Sequence, residues 1–305
     1  MKTDTMLSTR EWENAGQYLT VKGHRIFVID ENPNVSKDAS QDKNTILLIH
    51  GFPTSRWDWA KIWPRLATEY RLIAMDMLGF GLSDKPNPHH YSIHEQADIV
   101  ESIIQQLGLT HFHVLAHDYG DTVAQELLAR QNEGTGVGQW SSICFLNGGL
   151  FPETHQALLI QKLLLSPLGP LINKLTTKRT FDTSFSRVFG EQTQPSKEEL
   201  DSFWELINHN KGRHIFHNLI SYMSDRKTHR ERWVDALRDS QVPIGLINGS
   251  VDPVSGAHMI AHYKDIVGAP NFLTQLPEIG HYPQVEAPDK VAKYYLDFLD
   301  QVKRA

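Results

Sequence analysis

The chain alternates short apolar runs with longer stretches of mixed polarity. "TILLIH" and "RLIAMDM" are continuous apolar runs, the pattern of strands buried on both faces, and "FHVLA", "SSICFLNG", "PIGLING" and "NFLTQLP" read as further strands. Ahead of them, "YLTVKGHRIFVID" holds two strand-like runs around Lys22-Gly23 and predicts a hairpin. A polar loop follows from Glu31 to Asn44. Helical stretches separate the later runs. One contains Ile62 and Leu66, and another runs on from "FHVLA" through Arg130. The clearest is "YSIHEQADIVESIIQQLGL". Ser92 and Glu95 match a capping box, Ala97, Val100, Ile104 and Leu107 recur at helical spacing, and Gly108 stands where a C-terminal glycine belongs. The last helix, "APDKVAKYYLDFLDQV", is expected to turn Val291, Tyr294, Tyr295 and Phe298 to one side.

From residue 150 to about 240 the pattern is helical, with no convincing strand, and the alternation then resumes. These signals predict an α/β fold: a mainly parallel sheet with helices on both faces, formed by 1–150 and 239–305, with a helical cap inserted over 151–238. The most lipophilic stretch, "ALLIQKLLLSPLGPLI", is interrupted by Gln161, Lys162, Ser166 and two prolines. A spanning helix needs about 20 mostly apolar residues. The expectation is therefore a buried helix facing a pocket, with peripheral membrane contact as the lesser alternative.

Composition narrows the function. A chain of 305 residues fits one large domain with an insertion. The net charge is -6 and there is no long basic run, which argues against nucleic acid as a partner. The single cysteine, Cys144, lies in an apolar run and cannot form an internal disulfide. The N-terminal stretch is polar and lacks the apolar core of a signal peptide, so a cytoplasmic location is expected, with no transmembrane segment.

Open parallel sheets bind ligands beyond the carboxyl ends of their strands. Three predicted strand ends carry reactive side chains: Asp118, Asp252 and His281. Their order is that of hydrolases whose nucleophile sits in a strand–turn–helix bend. Ala116 and Gly120 flank Asp118 where that bend has small residues. The bland alternative is a helix N-cap; the two downstream partners favour catalysis. In "HGFPTS", Gly51 permits a tight turn, and the N–H groups of Phe52 and Tyr119 are candidates for an oxyanion hole. An aspartate of ordinary pKa, about 3.9, is already an anion at neutral pH. Its attack on an ester carbonyl would give an anhydride, whereas attack on saturated carbon gives a stable alkyl ester. The expected substrate is thus a small apolar molecule with a leaving group on sp3 carbon, an epoxide or an alkyl halide. Water is the second reactant, activated by His281 with Asp252 behind it.

The segments "HGFPTS", "LGFGLSDKP", "HDYGD", "GSVDPV" and "GHYPQVEAP" resemble the α/β-hydrolase superfamily in its epoxide hydrolase and haloalkane dehalogenase branch. "KPNPHHYSIHEQADIVE", "HDYGDTVAQELLAR" and "NGGLFPETH" are similar to its mesoderm-specific-transcript-like members. The resemblance runs from about Gly51 to Pro288 and is weakest in the cap. It implies a proton donor for an epoxide oxygen among cap tyrosines, and Tyr222 is the one tyrosine there. Dehalogenases of this branch usually carry Trp after the nucleophile and often Asn in the "HGxP" turn. Tyr119 and Phe52 occupy those places, leaving Trp204 as the alternative donor. Some place the acid after the preceding strand, where this chain has Asn147, so Asp252 is the expected acid. Epoxide opening leads, haloalkane dehalogenation is second, and a non-catalytic binding module on the same fold is third. No cofactor or metal is expected: His214 with His217, and His258 with His262, have helical spacing but no evident acidic or cysteine partner. His89 and His90 receive no role, His117 is expected to orient the bend, and Asp84 to hold a loop.

Overall fold

The computed structural model describes residues 8–32 and 44–304. The predicted polar loop falls largely on 33–43, outside the described residues. Eight strands form one sheet: β1 (Gln17–Val21), β2 (His24–Glu31), β3 (Thr45–Ile49), β4 (Arg71–Met75), β5 (His111–His117), β6 (Gln139–Leu146), β7 (Ile244–Gly249) and β8 (Phe272–Leu276). Their order is β1-β2-β4-β3-β5-β6-β7-β8. Only β2 runs against its neighbours β1 and β4; the rest pair in parallel. The β1–β2 hairpin turns at Lys22 and Gly23, both at positive φ (50° and 82°), as a two-residue hairpin turn of right-handed strands requires.

The apolar runs explain which strands are central. All five residues of β3 and all six of β7 are buried, and β5 is buried from Phe112 onward. Their Ile, Leu and Val side chains fill both faces, and only helices above and below can cover them. The Ile93–Gln106 helix buries Ile93, Ala97, Val100 and Ile104. Ser92 Oγ accepts from Glu95 N at 3.1 Å, but the Glu95 carboxylate turns instead to His89 Nε2, 2.8 Å away. The C-terminal helix Pro288–Arg304 buries Val291, Tyr295 and Phe298 as expected. Ala292 and Leu299 complete that face, and Tyr294 stands at its margin, half-buried.

Between β6 and β7 there is no strand among the described residues. The helices Leu159–Leu165, Gly169–Leu175, Lys178–Ser186, Lys197–Asn208, Tyr222–Thr228 and Arg230–Arg238 fill this interval. The last of them lies on the Tyr119–Asn132 helix, where Trp233 Nε1 and Arg232 Nε each donate to Glu126 at 2.8 Å. One sequence expectation fails here. "ALLIQKLLLSPLGPLI" is not one buried helix: Ser166, Pro167, Gly169 and Pro170 split it into Leu159–Leu165 and Gly169–Leu175. Leu164 is buried, but Leu159, Leu165, Leu168, Leu171 and Leu175 are exposed. Leucines on several sides of two short helices exceed what one supporting surface can cover. Among the described residues no helix is long and apolar enough to cross a membrane.

Candidate active site

β5 delivers Asp118 to a tight bend ahead of the Tyr119–Asn132 helix. Asp118 has φ 49° and ψ −105°, a conformation that L-residues rarely adopt. Two close approaches hold the bend. A Cβ on Gly120 would lie 2.3 Å from the Ile49 carbonyl, and one on Gly51 would lie 2.7 Å from His117 Nδ1 and 2.9 Å from Asp118 Cβ. The "HGFP" turn after β3 therefore packs directly against the bend after β5. Asp118 occupies the N-cap position of its helix, yet its side chain makes no capping hydrogen bond. Instead Oδ2 accepts from the backbone N–H of Phe52 at 3.0 Å. The N–H of Tyr119 opens the helix, where no intrahelical acceptor exists.

His281 and Asp252 arrive from the ends of β8 and β7. His281 Nε2 stands 3.7 Å from Asp118 Oδ1, and its Nδ1 is 2.7 Å from Asp252 Oδ2. Asp252 is fully engaged: Oδ2 also accepts from Asn147 Nδ2 at 2.9 Å and Ser255 Oγ at 2.8 Å, and Oδ1 accepts from Val254 N at 2.7 Å. Asn147, set at φ 44° after β6, further binds both the N–H and the carbonyl of Gly249. So the residue that could not supply a carboxylate holds the carboxylate that does. His117 Nε2 donates to the His281 carbonyl at 2.8 Å, which ties the end of β5 to the loop after β8. Asp84 likewise accepts from Arg25 N at 2.7 Å.

Charge in this buried cluster is arranged in layers. Burial raises the Asp118 carboxyl, but His281, Arg226, His117 and the Phe52 N–H outweigh it and hold Asp118 below its ordinary value. Burial likewise raises Asp252, and His281 with Asn147 brings it net down. Burial lowers His281, but Asp252 and Asp118 on either side push it up to about 9. The resting site is therefore an imidazolium between two carboxylates at neutral pH.

Arg226 is the residue that sequence reasoning missed. It is buried on the Tyr222–Thr228 helix, and its guanidinium reaches across to the bend. Nη2 donates to the Asp118 carbonyl at 3.2 Å and stands 4.0 Å from Asp118 Oδ1, while Nε donates to Thr122 Oγ1 at 2.7 Å. Nη1 faces His155 Nδ1 at 3.3 Å; burial and Arg226 hold that imidazole down to about 3, so it stays neutral and accepts. The available signal was spacing: Arg226 follows Tyr222 by one helical turn, and its guanidinium lies 4.6 Å from that ring.

A cavity of about 170 Å³ lies over Asp118 and His281. Its walls are mostly apolar, with Phe52, Leu164, Phe181, Phe185 and Val188 among them. Tyr222 lies one layer behind this wall, its ring 6.0 Å from Phe52 and 5.0 Å from Tyr119, and its buried hydroxyl has no hydrogen-bond partner among the described residues. Burial and Asp118 raise that phenol, so it remains protonated. Trp204 is not part of the cavity wall. It packs on Phe181 at 5.4 Å, under Arg213. Of the paired histidines, His258 meets the Val254 carbonyl and His217 meets Asn173, while His262, expected to lack an acidic partner, meets Glu153 across the fold. His89, besides contacting Glu95, lies edge-on to His24.

A parallel sheet in this order, with an acid–histidine pair facing a tight bend after β5, defines an α/β-hydrolase. Residues 44–134 match the family model for the alpha/beta hydrolase fold. The mesoderm-specific transcript homolog protein of Bos taurus is 42% identical over 296 residues, covering 95% of this chain and 87% of that protein. LipZ, a candidate hydrolase of Mycobacterium tuberculosis, is 38% identical over 295 residues, covering 97% and 99%. Among solved structures, haloalkane dehalogenase DbeA from Bradyrhizobium elkani shares the fold with a TM-score of 0.77 at 21% identity, over 95% of this chain and 98% of that one. The chain belongs to the family of mesoderm-specific transcript proteins within the α/β-hydrolase superfamily.

Proposed function

We propose that this chain is an aspartate-nucleophile hydrolase that opens epoxides to vicinal diols, with 151–238 acting as a cap over the site. The observation that carries the reading is the division of labour at Asp118. One carboxylate oxygen lies on a backbone N–H, and the other faces His281 and the cavity. Oδ1 attacks an epoxide carbon and the C–O bond breaks toward the ring oxygen. That oxygen takes a proton from Tyr222, the group whose unpartnered hydroxyl supports this role. The product of the step is a hydroxyalkyl ester on Asp118.

Alkylation removes the Asp118 charge, so His281 loses one of its two counter-ions and yields its proton, through solvent, to the Tyr222 phenolate. The neutral imidazole then takes a proton from water, and the hydroxide adds to the Asp118 carbonyl carbon. Negative charge develops on Oδ2, where the N–H groups of Phe52 and Tyr119 receive it; one such donor is typically worth about 3 kcal/mol. Collapse leaves a carboxyl group whose proton passes to the departing diol oxygen. The proton that His281 took from water restores the resting imidazolium. The balance is epoxide plus water to diol.

Haloalkane dehalogenation keeps the same nucleophile and needs N–H donors for the halide. Neither Trp204, turned onto Phe181, nor Tyr222 lines the cavity, and the unpartnered Tyr222 hydroxyl, close enough for Asp118 to act on it, favours the first reading. Incubation with a panel of epoxides and a panel of haloalkanes tests the reading. Diol from epoxides, lost in Tyr222→Phe, is the expected result. Halide release alone would move the assignment to the dehalogenase, and no product from either would favour a binding module.

A further inference from the structure

Five leucines on the segment between β6 and β7 face solvent: Leu159, Leu165, Leu168, Leu171 and Leu175. Leu168, Leu171 and Leu175 share one side of the Gly169–Leu175 helix by spacing. Two of the five are more than half exposed beside residues of the cavity wall. Leu159 is 73% exposed between the lining residues Leu158 and Ile160, and Leu175 is 63% exposed next to the lining residue Thr176. The exposed leucines thus sit next in the chain to residues of the cavity wall. A soluble surface rarely leaves so many large apolar side chains together without a partner.

The surrounding charge says which partner. From residue 154 to 181 the chain has no Asp or Glu, although its net charge is -6. The same stretch carries Lys162, Lys174, Lys178 and Arg179. Lys178 pairs with Asp182 and Asp201, while Lys162, Lys174 and Arg179 make no ion pair among the described residues. Exposed leucine with unpaired cations, on an otherwise acidic protein, is the composition of a surface that lies on anionic lipid.

The geometry points to these leucines as a peripheral docking surface for an anionic lipid bilayer, which brings the cavity up to the membrane. An apolar substrate dissolved in the lipid then enters without crossing water. The docking is independent of which bond the site breaks, so its test is a binding test.

Full-length protein is sedimented with vesicles of one-to-one phosphatidylcholine and phosphatidylglycerol, and with vesicles of phosphatidylcholine alone. The protein is expected to follow the anionic vesicles at least tenfold more strongly than the neutral ones. Leu168→Ser/Leu171→Ser/Leu175→Ser, none of which lines the cavity, is expected to weaken that binding at least tenfold with an unchanged melting temperature. Lys162→Gln/Lys174→Gln is expected to remove the anionic preference while the leucines remain. Failure of the wild type to sediment, or equal binding by the leucine variant, overturns the proposal. So does a dimer in analytical ultracentrifugation that the same leucine substitutions dissociate, because a second copy is then the occupant.

Discussion

Arg226 Nη2 donates to the carbonyl oxygen of Asp118, 3.2 Å away, and stands 4.0 Å from its carboxylate. The contact joins a helix lying between β6 and β7 to the strained residue of the bend after β5. It also places a buried cation beside a buried anion, which is expensive to break on one side only. Arg226→Gln should therefore raise the Asp118 carboxyl toward and above its ordinary value. The acid limb of the pH–activity profile is expected to move to higher pH, with kcat/KM lower by about a hundredfold. An acid limb that does not move would assign Arg226 to packing alone.

Asn147 and His281 meet at the same oxygen of Asp252, at 2.9 and 2.7 Å. A carboxylate at 147 would stand within reach of His281 Nδ1. Asp252→Asn alone should reduce kcat by roughly 10²–10⁴-fold, the usual weight of base catalysis. Asn147→Asp/Asp252→Asn is expected to regain at least about tenfold of that loss. No recovery in a folded double variant would mean that the acid must reach His281 from β7.

The titration of His281 gives two linked expectations. Its value in the folded chain, about 9, lies above the ordinary 6.5. The stability this pairing supplies is full below pH 6.5 and is lost as pH rises through 9. Wild-type protein should thus lose more melting temperature between pH 7 and 10 than His281→Gln does. During turnover the Asp118 charge is gone, so ester hydrolysis should titrate below 9 in single-turnover rates across pH. An apparent value at or above 9 would contradict the coupling between the two residues.

Gly120 tests the bend itself. A methyl group there would meet the Ile49 carbonyl at 2.3 Å, and backbone cannot swing aside as a side chain can. Gly120→Ala is expected to destabilise the fold by about 1–3 kcal/mol, the range for overpacking, and to lower activity further by displacing Asp118. Urea midpoints and kcat measure the two effects separately.

The frame of this site was legible because its chemistry sits where backbone pattern is strongest. Asp118, Asp252 and His281 each follow a strand-like run, so their placement at strand ends needed no knowledge of packing. Gly108 and the Lys22-Gly23 turn were legible for a similar local reason: both require positive φ. The segment between β6 and β7 was harder. Its helices carry apolar residues on more than one side, and periodicity cannot tell which side finds a partner; the stretch around Leu168 was misjudged on that account. Arg226 was invisible for a different reason. Its role depends on a contact across 108 positions of sequence, and nothing local distinguishes it from a surface arginine.

The central claim is that Asp118 is alkylated and that water then attacks its carbonyl carbon. It is tested most directly by one turnover of an accepted substrate in ¹⁸O-water, with excess enzyme, followed by mass spectrometry of the peptide containing residue 118 and of the product. The account predicts heavy oxygen in the Asp118 carboxylate and ordinary oxygen in the new product hydroxyl. Heavy oxygen in the product with none in Asp118 would mean that water attacks the substrate directly, and would contradict it.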